Sequence, residues 1–192
     1  MGNREDLLDA ATRCLYDKGY GRTTARDIAS AAGVSLAAIG YHYGSKEALL
    51  NAALRRALEA WGDDLSATVA PAERAEGTAA QRFEAAWSGV LGSFAANRAL
   101  WSVQFELLGL IDRDPGLKEM FTEASREARL ALVELFGDGG VGDDKPRRLA
   151  LGALYQAMLA GTAAQWLADP DSPPPAADLV AALRALGTTL AT

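Results

Sequence analysis

The sequence predicts an all-α fold of about nine helices, and three observations carry that prediction. Apolar residues recur at three- and four-residue spacing along the chain, and no stretch alternates apolar and polar residues as a half-buried strand does. Breaks fall at Gly19, Gly33, Gly44 and Gly77, at Gly137-Asp138-Gly139-Gly140 and at Pro173-Pro174-Pro175, where helix stops and connections belong. The composition, 49% hydrophobic and 23% charged with abundant alanine, is that of a globular chain.

Each element follows in order. The first helix is expected over Asn3–Lys18, with Leu8, Ala11 and Leu15 on one face, Leu7 and Cys14 beside them, and Gly19 as its stop. Thr24 opens a short helix over 24–31, with Asp27 three residues on in a capping-box arrangement. Gly33 breaks it, and Ser35 starts a further helix over 35–43. Gly44 breaks again, and Ser45 caps a long helix over 45–69, with Glu47 in the first turn where the dipole favours an acid. Longer apolar helices then follow over about 78–97, 99–111, 114–136, 144–168 and 176–189. Asp114-Pro115 is a cap followed by a proline at the first helical position. The segment from Asp169 to Pro175 is a stiff connection, because proline runs favour an extended chain.

Several function classes are excluded. Cys14 stands alone, so no internal disulfide is expected, and with one histidine it builds no zinc site of the usual kind. It replaces an apolar residue on an inward face and is expected as inert core. No nucleophile–base pair, metal-ligand set or glycine-rich phosphate loop occurs, so no enzyme, metal or cofactor is expected. The start, Met1-Gly2-Asn3-Arg4-Glu5-Asp6, runs straight into charge, unlike a secretory signal. The most apolar stretch, 149–168, is interrupted by Gln156, Thr162 and Gln165 and reads as a buried helix, not a membrane span. A cytoplasmic location is expected.

Net charge is −6, from 19 basic and 25 acidic residues, yet its distribution is uneven. Between Lys18 and Arg56 six basic residues (Lys18, Arg22, Arg26, Lys46, Arg55, Arg56) face only Asp27 and Glu47. Phosphate binding depends on such a local patch, not on overall charge. Arg55 and Arg56 themselves are expected on a solvated face.

The segment from Thr24 to Lys46 has the pattern of a helix-turn-helix. Ala29 is small where two helices cross, Gly33 follows four residues later where the turn needs positive φ, and Ile39 plugs the space between the helices with Ile28 and Val34. The second helix then stands outward for the major groove of double-stranded DNA. Base contacts are expected from its first turn and outer face: Ser35, Leu36, Ala37, Gly40 and His42. No Arg, Asn or Gln lies in that helix, so the bidentate pairings with guanine and adenine are absent. Leu36 and Ala37 are expected to read thymine methyls, with Gly40 letting the helix sit deep and DNA shape supplying the rest. Tyr43 is expected as core, and Arg4 as part of an N-terminal arm reaching a neighbouring groove.

The residues Leu7-Leu8-Asp9-Ala10-Ala11, Lys18-Gly19-Tyr20, Thr23-Thr24-Ala25-Arg26-Asp27-Ile28-Ala29, Ala32-Gly33-Val34-Ser35 and Tyr41-His42-Tyr43-Gly44-Ser45-Lys46-Glu47-Ala48-Leu49-Leu50 resemble the N-terminal signature of TetR-family transcriptional regulators. The resemblance implies phosphate contacts from Thr24, Tyr41 and Lys46. It departs at Leu36 and Gly40, where that family often carries a polar and a larger residue. It also implies a DNA-binding domain over 1–44 and a helical domain over 45–192 that dimerises and binds an effector.

A two-fold dimer on a palindromic operator would space its recognition helices by roughly 34–36 Å, one DNA turn. The expected dimer surface combines Ala153, Ala157, Gly161 and Ala164 with Leu179, Ala182, Leu183, Leu186 and Leu190. The segment 99–111 is apolar on nearly every face and is expected to be buried all round, so its polar members Gln104 and Glu106 need partners. With Trp87, Trp101, Phe105, Phe121, Tyr155 and Met158 they are candidates to line a small-molecule site. The function expected is a repressor released from its operator by a ligand. The alternative is a DNA-binding regulator without a small-molecule effector, controlled by a protein partner or by abundance.

Overall fold

The structure is a computed structural model that describes residues 3–73 and 76–190. Among these, nine α-helices and one short 3₁₀ turn account for the regular structure. They are α1 (Asn3–Lys18), α2 (Ala25–Ala32), α3 (Ala37–Tyr43), α4 (Lys46–Glu73), α5 (Ala79–Ser93) and α6 (Arg98–Leu108). After the 3₁₀ turn Ile111–Arg113 come α7 (Pro115–Phe136), α8 (Lys145–Ala168) and α9 (Ala176–Leu190). No described helix is long and apolar enough to cross a membrane.

Local chemistry accounts for most boundaries. Thr24 and Thr78 each close a reciprocal capping box, with Asp27 and Gln81 as the third-residue partners. The side chains of Ser45, Asp114 and Asp144 accept from the backbone N–H groups of Ala48, Leu117 and Arg147. Four boundaries differ from expectation, the first being the end of α5, which stops at Ser93 and not at 97. The helix of 35–43 begins in full only at Ala37; its entry is a 3₁₀-type turn in which Ala38 and Ile39 donate to the carbonyls of Ser35 and Leu36. Helix α4 runs through Pro71, which removes one ladder donor near the end of the helix and leaves the rest intact. Helix α6 stops at Leu108, and the chain reaches α7 through the 3₁₀ turn.

The chain divides into two compact units, one of residues up to Trp61 with Arg98–Ala124, the other of Gly62–Asn97 with Ser125 onward. This partition cuts across the 1–44 and 45–192 organisation, because the long helices α4 and α7 each contribute to both units. The first unit is built on Leu7, Leu15, Ile28, Ile39, Leu49, Leu50, Leu54, Leu100 and Leu107, all buried in one continuous core. Cys14 belongs to that core, and its thiol is pushed up by burial. In the second unit α5 packs on α9, and Trp87 stacks on Phe136 with ring centroids 5.2 Å apart.

Candidate nucleic-acid interface

Gly33 makes the turn between α2 and α3. Its φ of 68° is left-handed, its N–H bonds back to the carbonyls of α2, and Val34 donates to Ala29 O at 3.1 Å. A side chain there would meet nothing within 4 Å, so the requirement for glycine is conformational, not steric. Ile39 fixes α3 from beneath at 3% exposure, with Ile28 and Ala29 buried on α2. Burying one face of so short a helix leaves the other outward. Tyr41 is 86% exposed and Leu36 49%; Ser35, Ala37 and Gly40 are exposed beside them, and His42 is half-buried. Tyr41 and His42 meet edge to face at 4.9 Å between centroids. An open depression of about 550 Å³ lies along this face, lined by Asn3, Ser35, Ala37, Ala38, Tyr41 and His42.

Around the entry to α2, Lys46 Nζ donates to Thr23 O at 3.1 Å and lies 3.3 Å from Glu47. The Thr24 hydroxyl accepts from Asp27 N and gives its one proton to Asp27 Oδ2 at 2.7 Å. A donated bond from Thr24 to a phosphate therefore has to replace the one to Asp27. The buried Thr23 hydroxyl, which the motif alone does not single out, bridges Gly19 O at 2.7 Å and Cys14 O at 3.1 Å, tying the end of α1 to the start of α2. Arg4 lies in α1 and not on a free arm: its guanidinium sits over the Tyr43 ring at 5.4 Å, and Tyr43 donates to Arg4 O. Arg55 and Arg56 are engaged, not merely solvated, by Glu123 and by Asp9 and Glu5.

The Lys18 ammonium, donating to Asp27 at 2.6 Å, and the Thr24 donors hold the Asp27 carboxyl well below the ordinary value of 3.8. A carboxyl depressed on folding stabilises the fold above its unfolded value, and that stabilisation is lost as the pH falls through the folded one. Asp27→Asn is therefore expected to lower the urea midpoint at pH 6, with the gap to wild type narrowing once the pH drops below 3.8. A gap unchanged at pH 2.5 would contradict this.

The other candidates fall on two units. Trp101, Gln104, Phe105, Glu106 and Phe121 belong to the first, and Trp87, Tyr155 and Met158 to the second. Trp87 is fully buried and Trp101 nearly so. Tyr155 is buried, donates to Gly137 O at 3.1 Å, and has its phenol pushed up by burial; Phe105, Phe121 and Met158 are half-buried. Helix α6 is not buried all round: Ser102, Glu106 and Leu108 are exposed. Glu106 is satisfied by protein donors, the backbone N–H groups of Tyr20 and Gly21. Sequence reasoning missed Trp61, which meets Trp101 edge to face at 5.2 Å; its spacing from Leu54 and Leu58 on one apolar stripe was the available signal. Trp61 Nε1, Trp87 Nε1 and Gln104 Nε2 are buried without a hydrogen-bond partner among the described residues.

Comparison with known proteins agrees with this architecture. Residues 7–53 match the family described as bacterial regulatory proteins, tetR family, and residues 78–189 match the tetracyclin repressor-like C-terminal domain. The HTH-type transcriptional regulator BetI of Brucella suis biovar 1 (strain 1330) is 38% identical over 87 residues, 43% of this chain and 44% of BetI. The HTH-type transcriptional repressor KstR2 of Rhodococcus jostii (strain RHA1) is 40% identical over 58 residues, 30% of this chain and 28% of KstR2. Each match thus spans less than half of the curated relative. The crystal structure of the multidrug binding protein EbrR complexed with proflavin shares the fold, with a TM-score of 0.68 at 22% identity over 96% of this chain and 99% of EbrR. A helix-turn-helix with an outward α3, followed by a C-terminal region that matches over most of its length, makes this chain a member of the TetR family of bacterial regulatory proteins.

Proposed function

We propose that the protein is a homodimeric transcriptional repressor that binds a palindromic operator and is released by a small molecule. The observation that carries the DNA half of this reading is the outward face of α3, with Leu36 and Tyr41 exposed above a buried Ile39. Ser35, Leu36, Ala37, Gly40 and His42 supply base-edge contacts, and Thr24, Tyr41 and Lys46 supply phosphate contacts that set register without reading sequence. Acting on chromosomal DNA, the protein works in the cytoplasm and performs no chemistry of its own.

Dimerisation is supported by apolar surface on α8 and α9. Leu154, Leu186 and Leu190 are 51%, 59% and 84% exposed, with Ala157, Gly161, Ala164 and Ala182 exposed beside them. Exposed leucines flanked by small residues at helical spacing suit close helix–helix contact with a second copy.

Ligand response is supported by the orphaned donors at Trp61, Trp87 and Gln104 and by the multidrug-binding character of EbrR. An unmet buried donor costs about 1–3 kcal/mol, which a ligand acceptor would relieve. The effector favoured is accordingly an apolar molecule carrying hydrogen-bond acceptors. In the first unit Trp101, Phe105 and Phe121 are proposed to lie beside such a molecule, and in the second Tyr155 and Met158, whereas Glu106 is already taken by the Tyr20 and Gly21 amides.

Selection from a pool of random duplexes tests the reading. The expected result is salt-sensitive binding to an inverted repeat with required thymines, weakened by an acceptor-bearing compound that raises the melting temperature. A guanine-dominated half-site would refute the thymine readout, and an absence of salt-sensitive binding would refute the function.

A further inference from the structure

We propose that Glu106 is the positioning residue of the DNA-binding unit, its carboxylate on α6 holding the Gly19–Gly21 loop, and with it the start of α2, in the pose that engages DNA. The inference rests on the DNA-binding reading above.

The carboxylate reaches across 85 and 86 residues of sequence to accept two adjacent backbone donors: Gly21 N at 2.8 Å on Oε1 and Tyr20 N at 3.1 Å on Oε2. Two successive N–H groups converging on one anion form a nest, and bonds to an ionised acceptor are stronger than neutral ones. The loop's glycines make room for it. Gly19 has a φ of +80°, and a Cβ there would lie 3.2 Å from Glu106 Cδ and nearer still to Oε2. A Cβ on Gly21 would lie 3.2 Å from Oε1. Gly19 thus serves twice, as the stop of α1 and as the gap through which α6 reaches the backbone. Glu106 itself is exposed, so it is not there to fill core space.

The same loop is anchored by its side chain. The Tyr20 hydroxyl donates to Asn51 Oδ1 of α4 at 2.9 Å, with Asp114 Oδ2 at 3.4 Å as its alternative acceptor. Burial, then the charge of Asp114, raise that phenol above its ordinary value of 10 and keep it a donor. From the loop the connection runs on through the Thr23 hydroxyl on Gly19 O and Lys46 on Thr23 O to the Thr24 cap of α2. A displacement of α6 is therefore carried to the helix-turn-helix through Glu106, whereas a residue at 106 too short to reach the Tyr20 and Gly21 amides removes that tie to α6.

Amide hydrogen exchange and operator binding by the full chain test the proposal, with Glu106→Ala and Glu106→Gln. In wild type the Tyr20 and Gly21 amides are protected. In Glu106→Ala their protection falls about tenfold or more while α2 and α3 keep theirs, as expected for the loss of charge-assisted bonds at one loop. The variant binds an operator selected by wild type about 2- to 30-fold more weakly, the span for coupling through a residue that touches no ligand. Its base preferences and salt slope stay those of wild type, because no DNA contact is lost. Glu106→Gln, which keeps an oxygen for one amide only, falls between the two. Unchanged protection at Tyr20 and Gly21, an affinity within twofold of wild type, or exchange that rises throughout α1–α3 would each overturn the positioning role. If wild type itself binds no duplex, the DNA reading fails, while the exchange data still judge the contact.

Discussion

Gly40→Glu is expected to abolish operator binding while leaving the free protein slightly more stable. A Cβ at Gly40 meets nothing within 4 Å, so a longer side chain needs no repacking and projects from the exposed face of α3. Replacing a helical glycine with glutamate gains about 0.5 kcal/mol of helix propensity. In a chain of this size that corresponds to a rise of about 1–2 °C in melting temperature. On DNA the same carboxylate is driven against phosphates and the acceptor-rich edges of the groove. Like-charge juxtaposition of this kind costs several kcal/mol, so affinity falls about 100-fold or more. Fluorescence anisotropy on the selected operator, read beside a thermal melt, checks both signs together. Binding within about threefold of wild type would remove α3 from the interface, whatever the melt shows.

Gly152→Ala is expected to be among the most damaging single-methyl changes in the molecule. Helix α8 crosses α7 at Gly152 so closely that an added Cβ would lie 2.6 Å from the carbonyl carbon of Arg129 and closer to its oxygen. The obstacle is backbone, which no rotamer change relieves, so the two helices must separate. That strains the crossing that carries the Arg129–Gln156 hydrogen bond of 3.0 Å. Overpacking costs about 1–3 kcal/mol, and the rigid neighbour puts this case at the upper end, about 3 kcal/mol. The melting temperature should fall by about 6–12 °C. Gly92→Ala in α5, where a Cβ meets nothing within 4 Å, is the matched control and should stabilise by up to about 1 kcal/mol. Equal melting temperatures for the two variants would show that the α7–α8 crossing tolerates more than its geometry implies.

The helices and most of their ends were legible from residues alone because a helix is a local object. Thr24 with Asp27, Ser45 at the head of α4 and Asp144 before α8 act on donors three residues away, within reach of any short window of sequence. Gly33 is legible for the same reason: the turn it closes spans only the carbonyls of Ala29 and Ser30. The exposed alignment of Leu36, Gly40 and Tyr41 follows from helical spacing once Ile39 is placed inward. The start of α3 was less legible, since Ser35 resembles a cap while the chain there takes a 3₁₀ turn with no side-chain cap.

What the sequence by itself determined is therefore the all-α class, the order of the helices and the helix-turn-helix with its outward face. The tertiary structure alone decided how the long helices are shared between two compact units, that α6 is exposed at Ser102 and Glu106, and that Glu106 answers to the amides of Tyr20 and Gly21. It also decided which glycines are needed for space, as at Gly152, and which for conformation alone, as at Gly33. The physical reason is range. Caps, turns and helical periodicity are settled by hydrogen bonds across three or four residues, whereas these other features depend on atoms brought together from distant parts of the chain, which no local pattern encodes.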